Sequence, residues 1–297
     1  MTNKEEESSQ TQQHEDTRPL IGELLAEHSE EIRSVQNMLL TADEELYRAN
    51  SSVYDDIWIL RFILSHKKDV KAAGKAALKT MNFRKENKLN ELGDTRHILF
   101  PVQELFGSFC EGRHSIESWP DENRGIIQYI NLSAIDTSSV GSKMSHDDLV
   151  SLYMYVNESV YKTLDEVTRR TGRLTKCLRV IDFGKVQLRK LNLSYLKKDA
   201  AASKDIEDYY PQLLGMLLVV NSPSWLSMIW NTLRPLFPRR LVEKVDFFGS
   251  ISDEKSRSKC LKRFTKYISE ENLPHRYGGK EEKWPPMGTI EKKRLNR

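Results

Sequence analysis

The sequence predicts an α/β fold, a small helical bundle leading into a β-sheet with at least some parallel strands. Three observations carry this expectation. Apolar residues recur at helical spacing through the first third of the chain. Beyond it, short apolar runs alternate with helical patterns, the order in which α/β layers are built. One run, "LLGMLLVV" from Leu213 to Val220, is apolar without a break, as strands covered on both faces are. A chain of 297 residues has ample material for such a core.

The opening "MTNKEEESSQTQQHEDTRP", residues 1–19, is polar and acidic, and disorder is expected there. It lacks the basic-then-apolar order of a secretory signal. Leu20, Leu24, Leu25, Ile32, Val35 and Leu39 then predict one or two amphipathic helices. In "YDDIWILRFILSHKKDV", Ile57, Leu60, Ile63 and Leu64 share a face, and Asp55 or Asp56 suits the helix start. Asp69 opens a helix of strong formers with Ala73, Ala76, Ala77, Thr80 and Phe83 along one side. Residues 20–100 are therefore the expected helical domain.

Residues 93–124 read as irregular, with "SWPDENRG" a turn cluster and "GIIQYINL" the first strand after it. Ser145 starts a long helix, and Asp148 makes an acidic variant of the capping box. Leu149, Leu152, Tyr153, Val156, Val160, Leu164 and Val167 form its buried face, and Gly172 ends it. "CLRVIDF", Cys177 to Phe183, is the next strand, followed by a helical segment to Tyr209. After the strand at Leu213–Val220, "SWLSMIWNTL" is a helix with Pro223 at or near its first turn. "VDFFGS" is a short strand, "EKSRSKCLKRFTKYIS" a final helix and "ENLPHRYGG" a closing turn. Residues 101–279 make the second expected domain, and 280–297 a loose basic tail.

Several function classes find no support. A net charge of +3 with scattered Lys and Arg gives no argument for nucleic acid, and no such partner is expected. The three cysteines, Cys110, Cys177 and Cys260, are odd in number and far apart, which fits reduced thiols and shows no metal spacing. There is no G-x-S-x-G elbow and no H-E-x-x-H. "GSFCEGRH" has P-loop glycine spacing, but Arg113 and His114 stand where Lys and Ser/Thr would grip phosphate and magnesium. No catalytic residue, metal or cofactor is expected, and the chain does not read as an enzyme.

No formal charge lies between Asp208 and Arg234, and two of the five tryptophans, Trp225 and Trp230, sit there. That length could span a bilayer, but Asn221, Ser222 and Pro223 interrupt it. On a helical projection Trp225, Leu226, Ile229, Trp230 and Leu233 cover one broad face. Ser224, Ser227, Asn231 and Arg234 lie opposite. Periodicity alone fits a plain amphipathic core helix as well as a surface that meets lipid.

Several stretches, in order, resemble one family, the CRAL-TRIO domains. "DDIWILRFILSHKKDVKAAGKAALKTMNFRKEN" is similar to the family's helical N-terminal segment. "LRVIDFGKV" resembles its central strand, and "YYPQLLGMLLVVNSPSWLSMIWNTLRPLF" its Tyr-Pro turn, apolar strand, N-x-P and gate helix. "VEKVDFFGS" and "ENLPHRYGG" resemble its closing elements. The resemblance spans roughly Val53 to Gly279. It implies a mixed sheet flooring a hydrophobic lipid cavity, with the segment after Pro223 as a gate helix that contacts membranes. The implied function is a cytosolic lipid-binding or lipid-transfer protein. A lipid-sensing module that recruits another protein is the competing reading.

The implied partners are a phospholipid or other hydrophobic small molecule and, transiently, a membrane surface. The chain is expected to be a monomer with no cofactor beyond the bound lipid. In phosphatidylinositol-binding members a basic pair, a Glu-Arg pair, a Thr and a Lys contact the headgroup. By position these fall on His66 and Lys67, Gln212 and Leu213, Leu241, and Lys244. The hydroxyl pair used for phosphatidylcholine falls on Cys177 and Arg179. Neither headgroup pattern is intact. His66, Lys67, Gln212 and Lys244 remain candidate phosphate contacts.

Overall fold

The computed structural model describes residues 16–93, 101–111, 116–121, 123–184, 186–236, 239–251, 253–280 and 287–290. The N-terminal part of the chain holds α1 (Ile21–Glu27), α2 (Ser29–Ala42), α3 (Glu44–Ala49), α4 (Asp56–Ser65) and α5 (Val70–Glu86). Local chemistry sets their starts. Asp55 accepts from the Trp58 N–H at 3.0 Å and Asp69 from the Ala72 N–H at 3.0 Å, each supplying a partner that the first helical turn lacks.

The remainder of the chain supplies α6 (Pro101–Ser108), β1 (Ile116–Asp121), β2 (Gly125–Asn131), α7 (Thr137–Lys143) and α8 (His146–Thr171). There follow β3 (Cys177–Asp182), α9 (Leu193–Glu207), β4 (Leu214–Val220) and α10 (Leu226–Leu233). Last come α11 (Arg239–Val242), β5 (Val245–Phe247), α12 (Glu254–Phe264) and β6 (Met287–Ile290). The strand order is β5-β4-β3-β2-β1-β6. β2, β3, β4 and β5 run parallel, while β1 is antiparallel to both β2 and β6. The sheet is therefore mixed, as expected.

Strand alternation gives the sheet two working faces. Ile127, Tyr129, Leu178, Val180, Leu218 and Val220 point to one side and pack on α12 through Cys260 and Phe264. The intervening residues face the other way, toward α8, α9 and α10. The unbroken apolar run of β4 is thus covered on both faces. α8 carries the expected capping box, with Ser145 Oγ accepting from Asp148 N–H at 3.0 Å and Ser145 N–H donating to Asp148 Oδ2 at 2.8 Å. Gly172 ends it at φ +65°, where a side chain would be strained.

α8 also packs against the N-terminal helices. Arg84 of α5 donates from Nη1 and Nη2 to Glu158 of α8 at 2.8 and 2.9 Å. The Tyr210 hydroxyl donates to the same carboxylate at 3.1 Å. Burial opposes the Arg84 charge, but the adjacent Glu158 carboxylate outweighs it and raises the arginine's pKa. Phe83 stacks on Tyr209 with ring centroids 3.8 Å apart.

Three sequence expectations need correction. Residues 16–19 were placed in the disordered tail, yet Arg18 Nη1 donates to Thr175 Oγ1 at 2.7 Å and Pro19 O accepts from Leu174 N–H at 2.9 Å. Residues 1–15 lie outside the described residues. The stretch 93–124, read as irregular, contains α6 and β1. "SWPD" is strand because Pro120 lies beyond Ser118, the last β1 residue paired to β6, where a missing N–H is tolerated. Within the expected loose tail, Met287–Ile290 forms the edge strand β6.

Candidate functional site

The second face of the sheet floors a cavity of about 1290 Å³, counting space open at its mouth. Each strand contributes alternate residues: Gln128 and Ile130 from β2, Arg179 and Ile181 from β3, Leu217 and Val219 from β4. α8 adds Leu152, Tyr153 and Val156, and α9 adds Tyr195, Leu196, Asp199 and Ser203. The lining is mostly hydrocarbon, so the space favours an apolar guest.

α10 covers it. Leu226 and Ile229, each 7% exposed, and the half-buried Trp230 line the cavity. Trp225 is half-buried with its ring edge-on to Phe183 at 6.0 Å. Trp230 meets Phe247 of β5 at 5.4 Å. The outward side carries Ser227, Met228, Asn231 and Thr232, with Met228 62% exposed. Leu233 closes the helix, but its side chain lies outside the described residues. The expected apolar face is therefore turned inward, toward the space.

The turn entering α10 is tied to the central strand. Asn221, at φ +52°, donates to Asp182 Oδ1 at 2.7 Å and accepts from the Ile251 N–H at 3.1 Å. Asp182 also accepts from the Gly184 N–H at 2.8 Å and from the hydroxyls of Tyr129 and Tyr277 at 3.0 and 3.2 Å. One buried carboxylate thus gathers the ends of β3 and β4 and the closing turn. This fixes the base from which the covering helix departs.

A smaller, more polar space adjoins the cavity and shares Arg179, Ser203 and Leu241 with it. Gln212 and Lys244 line this vestibule, as do Ser65, Asn157 and Glu207. Gln212, at φ +58°, donates from Nε2 to Ser65 Oγ at 3.1 Å. Lys244 Nζ donates to Leu214 O at 2.7 Å. His66 is half-buried and Lys67, at φ +52°, is exposed, and neither lines the vestibule. The structure therefore brings together two of the four candidate headgroup residues. Leu213 and Leu241 line its wall without a polar group.

These geometries match known proteins. A family model for the CRAL/TRIO domain matches residues 112–279, more than half of the chain. The chain belongs to the CRAL/TRIO domain family. CRAL/TRIO proteins are lipid-binding and lipid-transfer proteins and bind lipophilic small molecules such as phospholipids. The SEC14 cytosolic factor of Candida glabrata is 25% identical over 77% of this chain and 72% of its own. The CRAL-TRIO domain-containing protein YKL091C of Saccharomyces cerevisiae is 24% identical over 87% of this chain and 79% of its own. The crystal structure of Sfh5 has the same fold, with a TM-score of 0.55, 14% identity, and coverage of 90% of this chain and 89% of that one.

Among the polar groups lining the cavity, Gln128, Asp199 and Ser203 were missed by sequence reasoning. Asp199 sits in "KKDAAASKD", which reads as a solvated face. Leu196, Asp199 and Ser203 are spaced to share a side of α9, a periodicity that could have placed them together. The Tyr153 hydroxyl donates to Asp199 Oδ1. Burial raises the Asp199 pKa, against the pull of the Tyr153 and Tyr195 hydroxyls and the Arg179 charge. The surface that Asp199 keeps faces the cavity rather than open water.

Lys176, just before β3, is also unusual. Burial pulls its pKa down to about 8, and the charges of Lys244 and Arg61 add to the effect. The unfolded lysine holds its proton to about 10.5, so between these values the unfolded state binds more protons. The Lys176 contribution to stability therefore rises with pH from about 8 to about 10.5. Buried tyrosines act in the opposite sense at the upper end, so the effect is read as a difference. Wild type minus Lys176→Met stability, from denaturant melts at each pH, should climb across this window. A flat difference contradicts it.

Proposed function

We propose that this CRAL/TRIO protein is a cytosolic carrier that encloses a hydrophobic ligand beneath α10 and exchanges it at membrane surfaces. The observation that carries the reading is the apolar cavity between the sheet and α10. Its physical need is clear. Moving a CH₂ group from oil to water costs about 0.8 kcal/mol, so a two-chain lipid of some 30 such groups would cost on the order of 20 kcal/mol to expose. Passage through water is negligible unless a protein encloses the chains. The lid must then open where the exit is also apolar. Docking through α10, with Trp225 and Trp230 reaching the interface, supplies that exit. Tryptophan is at home there.

Transfer of labelled lipid between donor and acceptor vesicles tests the reading. Catalytic amounts of the chain should accelerate transfer many-fold over the spontaneous rate. No acceleration with any phospholipid or fatty-acid probe contradicts it.

Phosphatidylinositol exchange should be weak. Leu213 and Leu241 place hydrocarbon where inositol-binding members offer polar partners, and an unpaired buried polar group costs about 1–3 kcal/mol. Robust phosphatidylinositol exchange in the same vesicle assay would contradict this prediction and assign the contacts to other side chains.

A further inference from the structure

We propose that Arg179 makes the cavity selective for amphiphiles of net negative charge, whose carboxylate or phosphate it pairs, over neutral lipids and zwitterionic choline lipids. The inference rests on the carrier reading and names the ligand class. Arg179 occupies a cavity-facing position of the central strand and lines both the apolar cavity and the polar vestibule. A ligand with its hydrocarbon in the first space and its polar end in the second must pass this side chain.

The guanidinium is held but not neutralised. Nε donates to Gln128 Oε1 at 2.6 Å and Nη2 to Asn157 Oδ1 at 3.2 Å. Both acceptors are uncharged amides. Among the described residues no carboxylate forms an ion pair with Arg179, and Nη1 makes no hydrogen bond. Arginine stays protonated and offers five donors in a rigid fork that fits carboxylate and phosphate.

Two carboxylates lie on the same walls, and among the described residues neither forms an ion pair with Arg179. Asp199 is engaged by Tyr153, and burial raises its pKa. Glu207 lines the vestibule together with a second cation, Lys244. A cation among hydrocarbon walls is costly unless paired. A ligand of net negative charge supplies the pair and charge-assisted hydrogen bonds, whereas a choline lipid offsets its phosphate with a quaternary ammonium of the same sign as the guanidinium. The hydroxyls that other members offer to choline lipids are also gone. Cys177 is fully buried and lines neither space, and Arg179 fills the other position.

The test loads the full chain from phosphatidylcholine vesicles doped with oleic acid or with methyl oleate. A parallel arm uses phosphatidic acid of the same chains as the phosphatidylcholine. Retained ligand is measured by mass spectrometry after the vesicles are removed. Oleate over its ester, or phosphatidate over phosphatidylcholine, should be favoured by roughly tenfold or more. The arm that shows the preference distinguishes carboxylate from phosphate. Arg179→Gln should abolish the preference, and Arg179→Lys should keep part of it. Equal retention of charged and uncharged probes by the wild type overturns the inference while leaving the carrier reading intact. A preference that survives in a folded Arg179→Gln variant also overturns it. Retention of no probe overturns both. If Arg179→Gln does not fold, the wild-type comparison decides alone.

Discussion

Glu158→Ala is expected to destabilise the chain by about 3–5 kcal/mol, the cost of leaving one member of a buried ion pair uncompensated. Glu158 is 0% exposed and receives both guanidinium nitrogens of Arg84 as well as the Tyr210 hydroxyl. Removing the carboxylate strands a cation that is 3% exposed, at the junction of α5, α8 and the turn before β4. Glu158→Gln should be milder, because an amide oxygen still accepts a hydrogen bond while the charge pairing is lost. The double variant Arg84→Met with Glu158→Leu should recover most of the loss, since hydrocarbon of similar volume replaces both charges. Urea melts of the three proteins check this. A Glu158→Ala midpoint close to wild type would contradict the assignment of this pair as a tie between α5 and α8.

Serine at both Trp225 and Trp230 is expected to weaken membrane docking by up to about 3–6 kcal/mol, if each ring is fully buried in the docked state and the effects add. Both rings are half-buried, against Phe183 and Phe247 respectively. Opening would free them to enter the interface. Met228, 62% exposed, already points outward and should make first contact. Met228→Asp should therefore slow docking with little effect on the closed fold, because the charge enters a site that must desolvate. The exposed Arg234 should add attraction to anionic lipid of roughly 1 kcal/mol near the surface if α10 docks there. Vesicle co-sedimentation of each variant, alongside tryptophan emission on vesicle addition, reads the effect. Unchanged binding by a folded double variant would return α10 to the role of a buried core helix.

Much of this architecture was legible in the sequence because local chemistry and tertiary structure agree. The Asp55 and Asp69 caps, the Ser145–Asp148 box and the Gly172 stop are short-range devices, and all four occur where the residues predict. The continuous run of β4 signalled burial on both faces. Strand β1 was hidden because Trp119-Pro120-Asp121 carries a turn composition, and only its register with β2 makes it a strand. Strand β6 was hidden for a similar reason, since four residues of an edge strand have little pattern of their own.

At the site, the apolar face of α10 could be read from its spacing, but not its direction. That depends on a space which no local pattern reveals. Gln212 and Lys244 meet in one vestibule although they are far apart in sequence, while Lys67, matched only by position, stays outside it. The polar cluster of Arg179, Gln128 and Asn157 joins two strands and α8, so no single stretch could announce it.

The central claim is that the space beneath α10 holds a hydrophobic guest. Organic extraction of the purified, folded chain followed by quantitative mass spectrometry tests it most directly. Close to one equivalent of an amphiphilic lipid per chain is expected, released only on denaturation. Lipid at background level, together with no uptake of labelled lipid from vesicles, would contradict it.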